Sequence, residues 1–297
     1  MRYNKCMDVL DSAGLAELRA SCRKTQEVSG VDVWDFINGN DEVCRDKELL
    51  EQISIYTVNC FVFREYLKRD IKPGVLAGYS IGLYSALHCS GVISYSDGIN
   101  LIAAAYSLMK EFLQKKEKWG MAVVTGLDYG QIQDIIRKLD MLAEVFIINE
   151  NNQYSMVLSG TEQGIGRVCS VAGREGAINS KQLAVSMPYH TGFMNEPAIL
   201  FRKFFDKVEF KDPSIMVISA ITQDVMCTAY DARRDLYRNI KHAMSWVKTI
   251  EKAADMGFKK YYEIGLGDSL CRMSALIRPE YRFLYCRDAF REVMSCV

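Results

Sequence analysis

Apolar residues recur along this chain in two alternating rhythms. Residues 8 to 27 and 49 to 69 space them by threes and fours, as helices do, and the short run Val75-Leu76-Ala77, held between Pro73-Gly74 and Gly78, predicts a buried strand. Ile81 to Ser90 and Asp97 to Lys116 predict two further helices. Ser96-Asp97 is the expected cap of the second, and the basic run Lys115-Lys116-Glu117-Lys118 falls at its negative dipole end. From Gly120 the rhythm changes. Met121 to Leu127 predicts a strand, Tyr129 to Leu139 a helix, Glu144 to Asn149 and Tyr154 to Gly160 a pair of strands, and Thr161 to Glu175 a helix, closing near Val185. The order strand, helix, strand, strand, helix, strand is that of a ferredoxin-like unit, here an inserted small subdomain. Beyond it come a helix at Phe193 to Val208, a strand at Ile215 to Ala220, helices around Leu236 and at Trp246 to Met256, a strand at Tyr261 to Ile264, and a last strand and helix near Phe283 and Ala289. The expectation is an α/β chain whose outer pieces rejoin in one parallel sheet.

Composition narrows the class. The 297 residues carry 37 Lys+Arg against 37 Asp+Glu, 49% hydrophobic residues and only 5 Pro, enough for one large domain or a domain with an insertion. Zero formal net charge removes the general electrostatic case for nucleic acid or an anionic membrane surface. The longest nearly apolar segments, such as Leu101 to Met109, fall far short of the ~20 residues a membrane span needs. Ten cysteines without a Cys-x-x-Cys, and an N-terminus without the basic-then-apolar signal design, point to a reduced cytoplasmic protein with no zinc site.

One segment carries chemistry. Gly78-Tyr79-Ser80-Ile81-Gly82 follows the strand at Val75 and precedes a helix, which is the setting of a nucleophile elbow. Ser80 is the candidate nucleophile on a strained turn, its flanking glycines letting sheet and helix approach, and the amide of Ile81 points where an oxyanion would form. The base must come from three histidines. His88 lies eight residues further along the same helix, about 12 Å away along its axis, and His242 falls in a surface helix beside Lys241. His190, in the loop Met187-Pro188-Tyr189-His190-Thr191, is the candidate base.

At these residues the chain resembles the malonyl-CoA:acyl-carrier-protein transacylases and the related acyltransferase domains of fatty acid and polyketide synthesis. Gly78 to Leu87 resembles the family's Gly-His-Ser-Leu-Gly-Glu-Tyr-Ala-Ala-Leu, and Val185-Ser186-Met187-Pro188-Tyr189-His190-Thr191 its Val-Ser-Ala-Pro-Phe-His-Ser. Ile148-Asn149-Glu150-Asn151 with Val157-Leu158-Ser159-Gly160, Glu263-Ile264-Gly265-Leu266-Gly267 and Trp246 follow in family order, so the likeness runs over residues 3 to 297. It implies a hydrolase-like parallel-sheet core from residues 1 to 119 and 186 to 297, the ferredoxin-like subdomain from 120 to 185, and a site in the cleft between them. It also implies that Ser80 is acylated by acyl-CoA and passes the group to the phosphopantetheine of an acyl carrier protein, with no bound cofactor. His190 is then base and later acid, oriented by a backbone carbonyl at Asn239, where the family usually has Gln; Asn149 and Asn151 join the substrate-binding set.

Departures from the pattern shape the expected substrate. The family opens with a strand and a Phe-Pro-Gly-Gln-Gly-Ser-Gln motif whose glutamine helps to form the oxyanion hole, whereas this chain begins at Met1-Arg2-Tyr3 about where that motif would end. Two expectations follow: a start codon placed too far downstream, or a shortened relative with weakened catalysis that serves a synthase as a scaffold. An ungapped alignment puts Ala105 at the position of the arginine that pairs with a malonyl carboxylate. Alanine cannot make that bidentate pair, so an uncharged acyl group is expected, or an editing thioester hydrolase with water as acceptor, unless Arg2 or another cation substitutes. Tyr79 replaces the histidine before the nucleophile and Tyr189 the phenylalanine before the base, each bringing a hydroxyl toward the acyl group.

Overall fold

A computed structural model describes residues 10–39, 46–113, 118–185, 187–265 and 267–294. The expected basic helix end at Lys115-Lys116-Glu117, along with Arg2, Ser186 and Leu266, lies outside the described residues. Among the described residues the first elements are helices: α1 (Ser12–Ser29), the short α2 (Val33–Ile37) and α3 (Lys47–Lys68). Helix α1 starts where the Asp11 side chain accepts from the N–H of Gly14, and ends at Gly30, whose φ of 71° supplies the left-handed cap. Helix α3 buries apolar residues nearly all round, among them Ile53, Val58, Phe61 and Val62, because other elements cover it on several sides. Strand β1 (Val75–Ala77) then leads through the elbow into α4 (Gly82–Cys89), and α5 (Tyr95–Leu113) returns across α1 and α3. Its cap is Ser94, two residues before the expected one: the Ser94 Oγ accepts from the N–H of Asp97 at 3.1 Å and donates to the Asp97 carboxylate at 2.6 Å.

The middle of the chain builds β2 (Trp119–Thr125), α6 (Tyr129–Lys138), β3 (Val145–Asn152), β4 (Ser155–Thr161), α7 (Glu162–Arg174) and β5 (Asn179–Leu183). Antiparallel pairing gives the sheet order β5-β2-β4-β3, and α6 and α7 pack on it over a separate core containing Val124, Ile132, Ile135, Leu158 and Val168. A fifth strand, β8 (Met244–Ser245), comes from much later in the chain and adds parallel to β3. Two residues bounded by helices give no alternation to read, so the sequence pattern did not mark it.

The returning chain runs through α8 (Asn195–Phe201), flanked by 3-10 turns at Gly192–Met194 and Arg202–Lys207. The single long helix expected from Phe193 is interrupted because Pro197 fits in the first turn of a helix but would clash with a carbonyl four residues earlier if the helix began sooner. There follow β6 (Met216–Ile218), β7 (Val225–Met226), α9 (Ala229–Asn239), α10 (Trp246–Asp255), β9 (Lys260–Glu263), α11 (Ser269–Ala275), β10 (Arg282–Tyr285) and α12 (Cys286–Met294). The outer strands do not close into one parallel sheet among the described residues. β1 pairs parallel with β6, which carries β7 antiparallel, while β9 and β10 form a separate parallel pair. A cavity separates the two sets.

Candidate active site

The elbow is built by backbone geometry. Ser80 holds φ at 52°, a left-handed conformation that costs an L-residue energy and persists only when its surroundings impose it. A Cβ on Gly78 would overlap the backbone of Gly82 and Leu83, so the close approach of strand and helix does require that glycine. Gly82 has open space around it and is not needed for the same reason. The N–H groups of Gly82, Leu83 and Tyr84 donate to the carbonyls of Tyr79, Ser80 and Ile81 at 2.9, 3.0 and 3.2 Å, whereas the N–H of Ile81 has no backbone acceptor among the described residues. It is the first free donor at the start of α4, where the helix dipole favours negative charge.

His190 meets this turn from the other side. Its φ is 61°, its N–H donates to the carbonyl of Ile240 at 2.9 Å, and the neighbouring Thr191 hydroxyl donates to the carbonyl of Pro188 at 2.7 Å. The loop is thereby held so that the His190 Nε2 lies 2.8 Å from the Ser80 Oγ. Burial pushes the imidazole pKa down to about 4, and the backbone of Asn239 and His242 opposes that shift by favouring the protonated ring. The His190 Nδ1 is buried without a hydrogen-bond partner of good geometry, so those backbone groups act on it as nearby dipoles. A neutral imidazole beside a serine hydroxyl can accept its proton at neutral pH. Asn239 contributes more than the backbone that sequence reasoning assigned it: its Nδ2 donates to the carbonyl of Ser80 at 3.2 Å.

The other substrate-binding candidates fall into three places. Tyr79, Asn149 and Asn151 form one network: the Tyr79 hydroxyl donates to the Asn151 Oδ1 at 2.8 Å and accepts from the Asn149 Nδ2 at 2.8 Å, while the Asn149 Oδ1 accepts from the N–H of Trp246 at 3.1 Å. Irregularities in the β3–β4 register between Ile147 and Asn149, and again between Glu150 and Asn152, set these asparagines in a locally distorted strand. Tyr189 points elsewhere. Its hydroxyl accepts from the Gln52 Nε2 at 2.8 Å, and burial, reinforced by the Glu48 carboxylate, pushes its pKa up. Ala105 is buried in the large hydrophobic core and lines no part of the cavity that reaches Ser80. His88 packs between the rings of Tyr56 and Tyr95 with its Nδ1 on the carbonyl of Ile93, and His242 is exposed. Gln52 and the Asn239 side chain were missed because a polar residue on a helix carries no periodic signal for what its tip will touch.

Comparison with curated proteins gives the same result repeatedly. The chain is 28% identical over 251 residues to the malonyl CoA-acyl carrier protein transacylase of Escherichia coli K12, covering 84% of this chain and 80% of that protein. The corresponding Haemophilus influenzae protein is 25% identical over 250 residues with the same coverage. Over most of its length the chain is similar to malonyl-CoA:acyl-carrier-protein transacylases. Solved structures share the fold. The Coxiella burnetii transacylase superposes with a TM-score of 0.86 at 23% identity, over 94% of this chain and 88% of that one. A type II polyketide synthase acyl-carrier protein in complex with its malonyl-transacylase gives 0.87 at 24%, over 96% and 94%. A search against protein-family models finds no match. Among the described residues no cluster of three or more His, Cys, Asp or Glu is placed to hold a metal ion, and no helix is long and apolar enough to cross a membrane.

Proposed function

We propose that this chain is a serine acyltransferase that moves an acyl group from coenzyme A to the phosphopantetheine arm of an acyl carrier protein, in fatty acid or polyketide synthesis. The observation that carries the reading is the Ser80–His190 hydrogen bond at 2.8 Å, made across a left-handed elbow at the start of a helix. His190 accepts the Ser80 proton as Oγ attacks the thioester carbonyl; the tetrahedral oxyanion is met by the N–H of Ile81, a type of donor worth ~3 kcal/mol in comparable sites. Collapse expels the coenzyme A thiolate, which takes the proton from His190, and leaves acyl-Ser80. The carrier thiol enters the vacated space, gives its proton to His190 and reverses the sequence. No step calls for a bound cofactor, since both thioesters are substrates, and cysteines that form no disulfide among the described residues suit a reducing cytoplasmic setting.

The architecture reads as a hydrolase-like core, residues 1 to 119 and 186 to 297, with a ferredoxin-like insertion from 120 to 185; the antiparallel order β5-β2-β4-β3 with two helices on the sheet supports it. Ala105, buried among apolar side chains, offers no cation for a malonyl carboxylate, so the acyl group is uncharged. The same residue favours a second reading, in which water replaces the carrier thiol and the enzyme edits acyl thioesters. Intact mass after incubation with malonyl-, acetyl- and a longer acyl-CoA tests all of this. Acetyl or longer acyl adducts on the parent, and none on Ser80→Ala, are expected. A malonyl adduct would overturn the choice of acyl group; coenzyme A release without adduct or carrier would select hydrolysis; neither adduct nor release would remove the transferase reading.

A further inference from the structure

The carbonyl of Ser80 and the N–H of Ile81, the proposed oxyanion donor, belong to one peptide unit. That unit is planar and trans, so the two groups point in opposite directions and turn together. Whatever fixes the carbonyl therefore aims the N–H. The Ser80 carbonyl accepts twice: from the N–H of Leu83 at 3.0 Å, within the first turn of α4, and from the Asn239 Nδ2 at 3.2 Å, from α9. The first bond belongs to the elbow and moves with it. The second comes from a separate, anchored element: the capping box of Thr228 and Asp231 closes the start of α9, and Ala232 and Leu236 bury its inner side. Asn239 is itself buried, so little water reaches its amide to compete for that bond. Reversing the amide would set its oxygen against the Ser80 carbonyl, two acceptors facing each other, so the site imposes the donor orientation.

A left-handed turn in an L-residue needs such an outside restraint. Ser80 holds φ at 52°, and relaxation of that backbone would rotate the Ser80–Ile81 peptide unit and re-aim its N–H. A carbonyl that accepts a hydrogen bond also polarises its peptide unit, which makes the N–H a stronger donor. One residue further along, the Ile240 carbonyl accepts from the His190 N–H at 2.9 Å, and the backbone of Asn239 lies beside the His190 ring. Positions 239 and 240 thus hold both sides of the reacting pair, the side chain of one on the serine turn and the backbone of both on the histidine loop. We propose that the Asn239 side chain is a positioning residue for the oxyanion hole: by binding the Ser80 carbonyl it holds the Ser80–Ile81 peptide unit with the Ile81 N–H turned to the developing negative charge. This role rests on the acyl-Ser80 reading, since the charge it serves develops only there.

Two variants separate the amide from the backbone beneath it: Asn239→Leu keeps the shape without a donor, and Asn239→Ala removes the side chain. Labelling of Ser80 by diisopropyl fluorophosphate, whose phosphoryl oxygen takes up negative charge during attack, is followed by intact mass. Both variants are expected to label about 10-fold more slowly than the parent, less than the about 10²–10³ lost with an oxyanion donor itself, because the Ile81 N–H remains. The pH profile of labelling is expected to keep its midpoint near 4, since the backbone contacts of His190 are untouched. With no probe added, the ¹³C resonance of the Ser80 carbonyl and the ¹⁵N resonance of the Ile81 amide are expected to move in both variants, and the dispersion of the same spectra reports that each is folded. Labelling at the parent rate overturns the proposal, as do resonances that stay in place. A loss accompanied by a midpoint moved toward 6.5 overturns it too, because the effect then lies on His190. A parent that does not label at Ser80 at all refutes the nucleophile, and the Asn239 role with it, so the two failures are told apart.

Discussion

Ser80 and His190 are L-residues held in left-handed backbone on two different segments, and each is held there by bonds that leave its side chain free. In the proposed mechanism, activation of the Ser80 hydroxyl depends on the imidazole staying neutral. Burial pushes the His190 pKa to about 4, so the base form persists well below neutrality. The rate of Ser80 acylation in stopped-flow mixing is expected to stay level from pH 8 to about 5 and to fall as the ring takes its proton near 4. A midpoint near the ordinary 6.5 would show that the ring is solvated in the working enzyme. Stability should move too. Between pH 6.5 and 4 the unfolded chain binds this proton and the folded chain does not, so folding weakens as pH falls through that window, by about 3 kcal/mol for this group.

At the scale of elements, α9 carries both Asn239, which reaches the Ser80 carbonyl, and Asp235, one turn earlier and buried. The Ser219 hydroxyl donates to the Asp235 carboxylate at 2.6 Å, yet burial still pushes the Asp235 pKa up to about 6. The sign is opposite to that of His190. Stability from this group is full below 3.8, the ordinary carboxyl value, and is lost as pH rises through 6. Replacing Asp235 by Asn keeps an oxygen for Ser219 and removes the ionisation. In urea unfolding the variant is expected to gain on the parent as pH rises from 4 to 8, by up to about 3 kcal/mol, and a constant difference would refute the buried carboxyl. Elements of this kind were the legible part of the sequence: the helices and strands around Gly78-Tyr79-Ser80 lie within a few residues of where the apolar spacing put them, because local periodicity and caps determine them. What stayed illegible depends on distant pairing. The two-residue β8 joins a sheet built from residues nearly a hundred positions earlier, and Asn239 turns its amide onto a carbonyl in another segment. The separation of β1 from β9 could not be read either, since both strands look complete one at a time.

Across the whole molecule, the small sheet and the large core meet at a seam made of polar groups. The parallel pairing of Asn149 and Glu150 with Met244 and Ser245 brings the start of α10 against β3, where the Ser245 hydroxyl donates to the Glu150 carboxylate at 3.0 Å. Asn149 is the centre of that seam: it accepts from the Trp246 N–H and donates to both Tyr79 and Asn151, while Trp246 anchors itself in the core by donating to the Ser274 hydroxyl at 2.9 Å. Tyr79, the residue before Ser80, is thus tied through its hydroxyl to the small sheet, and any rocking of one body against the other must pull on the turn at Ser80. Cutting Asn149 to Ala leaves the buried Trp246 N–H and the Tyr79 hydroxyl each short of a partner, at about 1–3 kcal/mol apiece. In a chain of this size a destabilisation of that order lowers the melting temperature by several degrees. A melting shift alone would fit any buried polar deletion. The seam requires in addition that amides at Met244–Ser245 and around Ser80 gain exchange together in Asn149→Ala, while the core beneath α6 and α7 keeps its protection. If the gain is confined to β3, the two bodies are not coupled through this asparagine.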